Sequence, residues 1–233
     1  MTTPSLDISG AIARITLQRP EAANKLAPED ITALRAHLRE INAADGVRVL
    51  ILQSAGKHFC SGHDLAELAA NPRSGNGFGD MVDALAACRP VTIAAVQGGA
   101  FGGGADLALA CDFRVGGPQS RVRVPPVQLG LHLYQSGLER FVSRLGLNMA
   151  RRLLLAAEPL DAAAMLDCGF LTHFSNGPDI TGAVDELAAT LARMAPLALL
   201  GMKESLNQIA CGRPDAALIA ARVQRTILSE DLQ

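Results

Sequence analysis

The first half of this chain alternates between short apolar runs and stretches in which apolar residues recur with helical spacing. Short, almost wholly apolar runs are typical of strands that are buried on both faces of a parallel sheet. An alternating segment interrupted at Ser9-Gly10 predicts a hairpin ahead of them. A helix is predicted from Pro28 to about Ala43, because proline favours the first turn of a helix and one face of this segment is apolar. The predicted strands are 6–8, 11–17, 47–53, 91–96 and 113–115.

The second half, after Gly137, has an almost entirely helical pattern. Asp161 is a predicted N-cap and Gly169 a predicted helix stop. The polar segment Asn71–Gly79 is predicted to be a flexible loop. Further helices are predicted at 180–195, 198–210 and 214–229. Together the patterns predict an α/β fold with a largely parallel sheet, followed by a helical C-terminal region.

Composition narrows the class of protein. The chain has 233 residues, of which 49% are hydrophobic, so it can bury a substantial core as one domain, with or without a helical appendage. A net charge of −2 and a pI of about 6.2 argue against a nucleic-acid-binding surface and against an anionic membrane as partner. No apolar run is long enough to span a bilayer, and no apolar N-terminal segment carries a basic flank. We therefore expect a soluble, cytoplasmic protein.

The cysteines carry a second compositional signal. Their odd number and wide spacing favour small buried side chains in a reducing compartment over a disulfide framework or a zinc site. They are Cys60, Cys88, Cys111, Cys168 and Cys211.

The segment Gly98–Gly104 contains five glycines in seven residues and joins the strand 91–96 to an apolar, helix-like run. Backbone N–H groups at the start of a helix lack intrahelical acceptors, so such a segment suits a developing negative charge. The alternative is that the glycines only permit a tight turn and close packing. Two phosphate-binding motifs are excluded. No start in this segment has the G-x-G-x-x-G spacing, and Ala105-Asp106 stand where a P-loop needs Lys followed by Ser or Thr.

A second strand, 47–53, also ends in small residues, which are followed by the sequence HFCSGHDL. With this segment the chain resembles the crotonase superfamily, the enoyl-CoA hydratases and isomerases. The matching segments have the family's order and spacing over nearly the whole chain. They are Leu17–Leu26, Phe59–Leu65, Arg89–Val91, Gly102–Gly104, Ala110–Val115, Leu129-Gly130, Pro159–Ala162 and Lys203-Glu204.

The resemblance implies a spiral of ββα turns over residues 1–175 and a helical trimerisation region over residues 176–233. It also implies an acyl-CoA thioester substrate, no cofactor beyond the CoA of the substrate, no metal, and a homotrimer or homohexamer. In the family a helix and a basic tail follow the S-E-D segment that Ser229–Asp231 resembles, and this chain ends at Gln233 without them. We therefore expect weaker closure over CoA.

In the family, two backbone N–H groups polarise the thioester carbonyl and stabilise the enolate formed from it. By position the resemblance assigns these donors to His63 and Gly103. The resemblance also implies contacts to CoA, most of them through the backbone, at Ala22, Lys25, Ser61, Gly62, His63, Asp64 and Leu65. The alternative to a CoA contact is a solvated surface position for Lys25 and a cap on the following helix for Asp64.

The acid–base residues depart from the family pattern. Asp106 stands where a hydratase has its first glutamate, which keeps the carboxylate but shortens its reach by roughly 1.5 Å. Pro126 stands in place of the second glutamate and cannot transfer a proton. The candidates to replace that group are His63, His132, Tyr134 and Glu139, and we commit to His63 and Tyr134 beside Asp106 and Gly103 as the catalytic set. His63 has the alternative of only filling space beside its own N–H.

Three functions remain open from the sequence. The first is an enoyl-CoA hydratase/isomerase-like enzyme with a non-standard acid/base set. The second is an acyl-CoA decarboxylase or a thioester hydrolase on the same scaffold. Decarboxylation needs enolate stabilisation and a proton donor but no initial base, so it tolerates Pro126 best. The third is a non-catalytic relative that binds acyl-CoA or serves as an oligomer partner. No G-x-S-x-G elbow supports a serine hydrolase.

Overall fold

The computed structural model describes residues 2–64, 70, 77–177 and 179–230, which form an α/β fold. The strands are β1 (Ser5–Ser9), β2 (Ile12–Leu17), β3 (Val49–Ser54), β4 (Val91–Val96), β5 (Gly99–Phe101), β6 (Phe113–Gly116), β7 (Arg121–Arg123), β8 (Leu160–Asp161) and β9 (His173–Phe174). The helices are α1 (Pro28–Ala43), α2 (Gly77–Ala86), α3 (Gly103–Ala110), α4 (Gln135–Leu154, with a kink at Gly146), α5 (Ala162–Asp167), α6 (Thr181–Ala192), α7 (Pro196–Ala210) and α8 (Ala216–Ile227).

The strands form two sheets. The larger has six strands in the order β1-β2-β3-β4-β6-β9, and β1 pairs antiparallel with β2 while every other pair is parallel. The smaller sheet has the order β5-β7-β8. Isolated parallel bridges, Leu26 with His63 and Cys60 with Ala100, extend the pairing of the smaller sheet toward the start of α1. The chain thus passes from a long strand to a short one and then to a helix, as in β4–β5–α3, and this repeated ββα turn was predicted.

The central strands β3 and β4 are buried on both faces because helices pack on each side. Their alternate residues belong to different cores. One face lies in the main core with α1 to α4, and the other lies in a second core against α6. The second core contains Val49, Ile51, Val91, Ile93, Ala95 and Val115 of the sheet with Ile180, which caps α6, and Val184, Ala188 and Leu191 of that helix.

Most predicted helix boundaries are confirmed. The side chain of Asp161 accepts a hydrogen bond from the Ala164 N–H at 2.9 Å, and Gly169 follows the end of α5 with a φ of +76°. The prediction of a loop at Asn71–Gly79 is wrong for its last three residues, which begin α2. The buried face of that helix is formed by Phe78, Met81, Val82 and Leu85. These residues have helical spacing in the sequence, but the glycines on either side of Phe78 favoured the prediction of a loop. Residues 71–76 lie outside the described part.

The predicted burial of the cysteines is confirmed for the first three and wrong for the last two. All five are free thiols, and burial raises the pKa of Cys60 and Cys111 to about 12 and that of Cys88 to about 11. Cys211, however, is exposed, and Cys168 is only half-buried. Cys211 follows α7, and neither α7 nor α8 has a buried residue.

The C-terminal helices are nevertheless tied to the sheet. Lys203 of α7 pairs with Asp112 at 2.8 Å and donates to the Pro90 carbonyl at 2.5 Å. Asp112 in turn accepts hydrogen bonds from the backbone N–H and the hydroxyl of Thr92. Across the described residues, none of the helices combines the length and apolar character that a bilayer-spanning segment requires.

Candidate active site

Two glycine-containing segments from distant parts of the chain meet at the N-terminus of α3. A Cβ atom at Gly62 would lie 2.6 Å from the backbone nitrogen of Gly103 and 2.9 Å from its Cα. No side chain fits there, and the φ of +91° at Gly62 also favours glycine. The backbone at Gly62 therefore lies directly against the first residue of α3.

Short strand bridges hold this segment in place. Leu26 pairs with His63, and the Leu26 N–H donates to the Gly62 carbonyl at 2.8 Å. On the other side Cys60 pairs with Ala100 of β5. The segment is thus fixed between the start of α1 and the strand that leads into α3.

The predicted oxyanion donors, His63 and Gly103, lie on these two adjoining segments. Gly103 is the first residue of α3, so its N–H has no acceptor within that helix. The positive end of the helix dipole lies at the same place. The local geometry suits an anion such as an enolate oxygen.

Asn24, to which sequence reasoning assigned no role, clamps the neighbouring turn. It is buried in a left-handed conformation with a φ of +54°. Its Oδ1 accepts from the Arg19 N–H at 2.9 Å, and its Nδ2 donates to the carbonyls of Ala55 and His58 at 2.9 and 2.8 Å. The turn after β2 is thereby joined to the loop after β3. The only indication of this role in the sequence was the position of Asn24 in the R-P-x-x-x-N segment.

The residues predicted to contact CoA lie around this clamp. Lys25 Nζ pairs with Asp64 Oδ2 at 2.8 Å, and the lysine side chain is 41% exposed. The Ser61 hydroxyl donates to the Ala22 carbonyl at 3.3 Å. These predicted contacts thus come together from two segments of the chain, while Leu65 lies outside the described residues.

Phe78 of α2 covers the meeting point of the glycine segments. Its ring stacks on that of His63, with centroids 5.3 Å apart and planes at 19°. A Cβ atom at Gly103 would lie 2.6 Å from the Phe78 Cζ. Sequence reasoning missed Phe78 because it placed this residue in a loop.

Asp106 lies three residues after Gly103, within the first turns of α3 and on the same side of the helix. Its buried carboxylate accepts two hydrogen bonds from Arg140, from Nε to Oδ1 at 2.7 Å and from Nη2 to Oδ2 at 2.9 Å. The Tyr134 hydroxyl also donates to Oδ2. A Cβ atom at Gly137 would lie 3.3 Å from Oδ2, so the small residue keeps this contact close.

The cluster perturbs the ionisation of its members. Burial raises the pKa of Tyr134, and the negative charge and hydrogen bond of Asp106 raise it further. Burial by itself lowers the pKa of Arg140, but its hydrogen bonds to Asp106 and Asp83 outweigh this and raise it. Tyr134 is therefore a neutral phenol, and Arg140 a cation, at neutral pH.

Arg140 and Asp83 belong to the same cluster and were missed. Arg140 Nη1 donates to Asp83 Oδ1 at 2.6 Å, and the Ser136 hydroxyl donates to the other oxygen of Asp83 at 2.9 Å. These contacts join α4 to α2. The sequence held a signal for Arg140: Tyr134, just before α4, and Gly137 and Arg140 within it follow one another at intervals of three residues. Residues three apart on a helix are neighbours.

Other predicted candidates lie elsewhere. Pro126 is buried before a 3-10 turn and brings no carboxylate to the site. His132 is exposed, and its ring contacts the Leu133 carbonyl at 2.7 Å. Glu139 accepts a hydrogen bond from Gln135 at 2.7 Å. The described hydrogen bonds connect neither His132 nor Glu139 to Asp106.

Comparisons with known proteins identify the family of the chain. The family model described as enoyl-CoA hydratase/isomerase matches residues 7–229. The short-chain-enoyl-CoA hydratase of Clostridium acetobutylicum is 29% identical over 209 residues, which cover 87% of this chain and 80% of that protein. A "Probable enoyl-CoA hydratase" of Mycobacterium tuberculosis is 33% identical over 198 residues, 84% of this chain and 79% of its own. Among solved structures, an enoyl-CoA hydratase/carnithine racemase of Magnetospirillum magneticum has a TM-score of 0.91 at 25% identity and covers 99% of this chain and 90% of that one.

Proposed function

Because the chain belongs to the enoyl-CoA hydratase/isomerase family of lyases and isomerases, we propose that it acts on acyl-CoA thioesters through an enolate held by the backbone N–H groups of His63 and Gly103. The observation that carries the proposal is the contact of the Gly62 backbone with Gly103 at the N-terminus of α3. Two N–H groups aimed at one oxyanion stabilise charge that develops only during the reaction, and each such donor contributes about 3 kcal/mol.

The CoA part of the substrate would lie along the Ala22–Lys25 turn and the Ser61–Asp64 segment. Most of these contacts would be made by backbone atoms, and the half-exposed Lys25 ammonium is within reach of solvent and so of a phosphate. CoA arrives with the substrate, so the reaction needs no further cofactor.

The acid–base set is non-standard. Asp106 supplies a carboxylate on the same side of α3 as Gly103, and Tyr134 supplies a hydroxyl bonded to it. His63 brings its imidazole beside the proposed oxyanion site. Hydration or isomerisation would then use Asp106, Tyr134 and His63 in place of the two glutamates of the family pattern.

Decarboxylation of an acyl-CoA that carries an α-carboxylate is the second candidate. Both oxygens of Asp106 already accept hydrogen bonds from Arg140, which disfavours a strong base at this position. In a decarboxylation the C–C bond to the carboxylate breaks, its electron pair forms the enolate, carbon dioxide leaves, and a proton from water or a side chain then adds to the α-carbon. No base is needed to begin.

Assembly and location complete the proposal. We place the catalytic spiral at 1–175 and an association region at 176–233, which forms a homotrimer or homohexamer in the cytoplasm. The exposed apolar side chains of α7 and α8 support this division.

The test is product analysis by mass spectrometry with crotonyl-, 3-hydroxybutyryl-, 3-enoyl- and methylmalonyl-CoA. Gain of water by crotonyl-CoA supports hydration, and loss of carbon dioxide from methylmalonyl-CoA supports decarboxylation. The proposal fails if no thioester of the panel reacts and none raises the Tm of the protein, even at thioester concentrations well above micromolar.

The acid–base assignment has its own test. Asp106→Asn should lower kcat by about 100-fold or more, as expected for the loss of an acid–base group. Unchanged turnover by a folded Asp106→Asn protein would show that the assignment is wrong.

A further inference from the structure

The guanidinium of Arg140 is committed to two carboxylates. Nε and Nη2 form a fork on the two oxygens of Asp106 at 2.7 and 2.9 Å, and Nη1 bonds Asp83 at 2.6 Å. The side chains of Arg140 and Asp106 are 10% and 3% exposed, so this fork is largely shielded from water. A bidentate fork fixes the plane of a carboxylate as well as its position.

That fixed carboxylate orients a third group. The Tyr134 hydroxyl donates to Asp106 Oδ2, the oxygen that also accepts from Arg140 Nη2. The Arg140 guanidinium carbon lies 5.9 Å from the centre of the Tyr134 ring. The phenol is therefore held through both its oxygen and its ring.

We propose that Arg140 is a positioning residue, which holds Asp106 as a fixed carboxylate and through it fixes the hydroxyl of Tyr134 beside the start of α3. Among the described residues, the charged groups that face Asp106 are Arg140 from α4 and, behind Arg140, Asp83 from α2. The hydrogen bonds from Arg140 and Tyr134 hold the Asp106 carboxylate in one orientation. The consequence for turnover rests on the proposed function, whereas the arrangement of the cluster does not.

The chain offers a direct probe of this cluster. Tyr134 is the single tyrosine of the whole sequence, and the sequence contains no tryptophan. Tyrosine emission is quenched when the hydroxyl bonds a carboxylate, so the emission of the whole protein reports on this one contact. The readout needs no substrate.

Arg140→Met should raise this emission, because the carboxylate loses the fork that fixes it beside the Tyr134 hydroxyl. The double variant Asp106→Asn/Arg140→Met should raise it as well, because no carboxylate then remains at this position to quench the phenol. Arg152→Met is the matched control on the same helix, since Arg152 forms an exposed pair with Glu158. It should behave like the wild type.

Kinetics give the second readout. With a thioester that the wild type converts, Arg140→Met should lower kcat about 100-fold with little change in KM, the loss expected for a misplaced group. In a Tyr134→Phe background, Arg140→Met should lower kcat by a much smaller factor, because the two residues act as a unit. A purely structural role would give additive losses instead.

Arg140→Lys covers the case in which Arg140→Met does not fold, because lysine retains the charge and loses the fork. It should show raised emission and a smaller loss of kcat. If folded Arg140→Lys and the folded double variant both keep wild-type emission, or if the kinetic losses are additive, the proposal is overturned. If the wild type converts no thioester, the proposed function fails, while the emission measurements still decide the role of Arg140.

Discussion

Individual residues at the candidate site are constrained by contacts between backbones. Gly62 and Gly103 lie so close that a Cβ on the first would overlap the amide of the second. Asn24 adopts a left-handed conformation to bond two neighbouring segments. At this scale the site depends on small shapes and fixed amides more than on ionisable groups.

Gly103→Ala tests the proposed donor. The added methyl would lie 2.6 Å from Phe78 Cζ, so the phenylalanine ring must move. If the thioester carbonyl binds at the Gly103 N–H as proposed, the methyl also crowds it. We expect unfolding free energy to fall by about 1–3 kcal/mol from overpacking. We also expect kcat/KM to fall by at least about 100-fold from the weakened oxyanion contact.

Urea denaturation and steady-state kinetics measure both effects of Gly103→Ala. Gly46→Ala is the matched control, because a methyl there meets no atom within 4 Å. Normal turnover in Gly103→Ala would contradict a carbonyl site directly against Gly103.

His58 predicts a dependence of stability on pH. Burial lowers the pKa of His58, as do the charges of Lys57 and Arg121, and its Nδ1 accepts a hydrogen bond from the Gly99 N–H at 3.1 Å. Below a pH of about 6.5 the unfolded chain takes up a proton at this histidine more readily than the folded chain does. This contribution to stability is therefore present above that pH and declines as the pH falls through it.

The comparison uses the free energy of unfolding at pH 7.5 and pH 5.5. His58→Gln should lose less stability between the two than the wild type, and His132→Gln, which changes an exposed histidine, should match the wild type. An equal loss in His58→Gln would contradict the assignment.

At the scale of elements, helices cover both faces of the sheet, α1 to α4 on one face and α6 on the other. The contact of α6 is mainly apolar, and its Asp185 also pairs with Arg14 of β2 at 2.8 Å. Helix α7 packs two partly buried leucines against the same second core and also forms a buried ion pair between Lys203 and Asp112, whose side chains are 7% and 14% exposed. The attachment of α7 to the sheet therefore combines a small apolar contact with this ion pair.

Lys203→Met should destabilise the protein by about 3 kcal/mol, because it leaves the Asp112 carboxylate buried without its cation. Adding Asp112→Asn should restore part of that loss. Arg152→Met, which removes an exposed pair, should change stability by less than about 1 kcal/mol. Coincident urea transitions for Lys203→Met and the wild type at equal protein concentration would refute this account.

At the scale of the whole molecule, the last two helices expose apolar side chains that a single chain does not cover. Met202, Leu206 and Ile209 on α7 are 62%, 60% and 55% exposed, and they recur at helical spacing on one face. On α8, Val223 and Ile227 are 50% and 52% exposed. A contiguous face of this kind is typical of an association surface.

Leu206→Asp should lower the molar mass measured by light scattering toward that of one chain, because a carboxylate on this face would have to be desolvated on association. Leu155→Asp is the matched control, an equally exposed leucine outside the C-terminal helices. A wild type that is already monomeric would refute the predicted trimer or hexamer.

Much of the fold and part of the site could be predicted from the sequence. Apolar runs at 47–53 and 91–96 predicted strands buried on both faces, because burial on two sides leaves no polar period. Asp161 and Gly169 predicted helix ends, because capping depends on residues only a few positions apart. The motifs around Gly62 and Gly103 predicted the family. All of these signals are local or have a fixed order.

Tertiary structure alone decided which groups meet. Arg140 and Asp83 reach Asp106 from two other helices, and Phe78 comes from a helix that its glycine neighbours concealed. Sequence spacing cannot show such contacts, because they depend on how helices far apart in the chain pack against one another. The sequence thus determined the elements and indicated the two glycine segments that meet at the candidate site. The packing of α2 and α4 against α3 determined that Asp106 is a carboxylate held by an arginine.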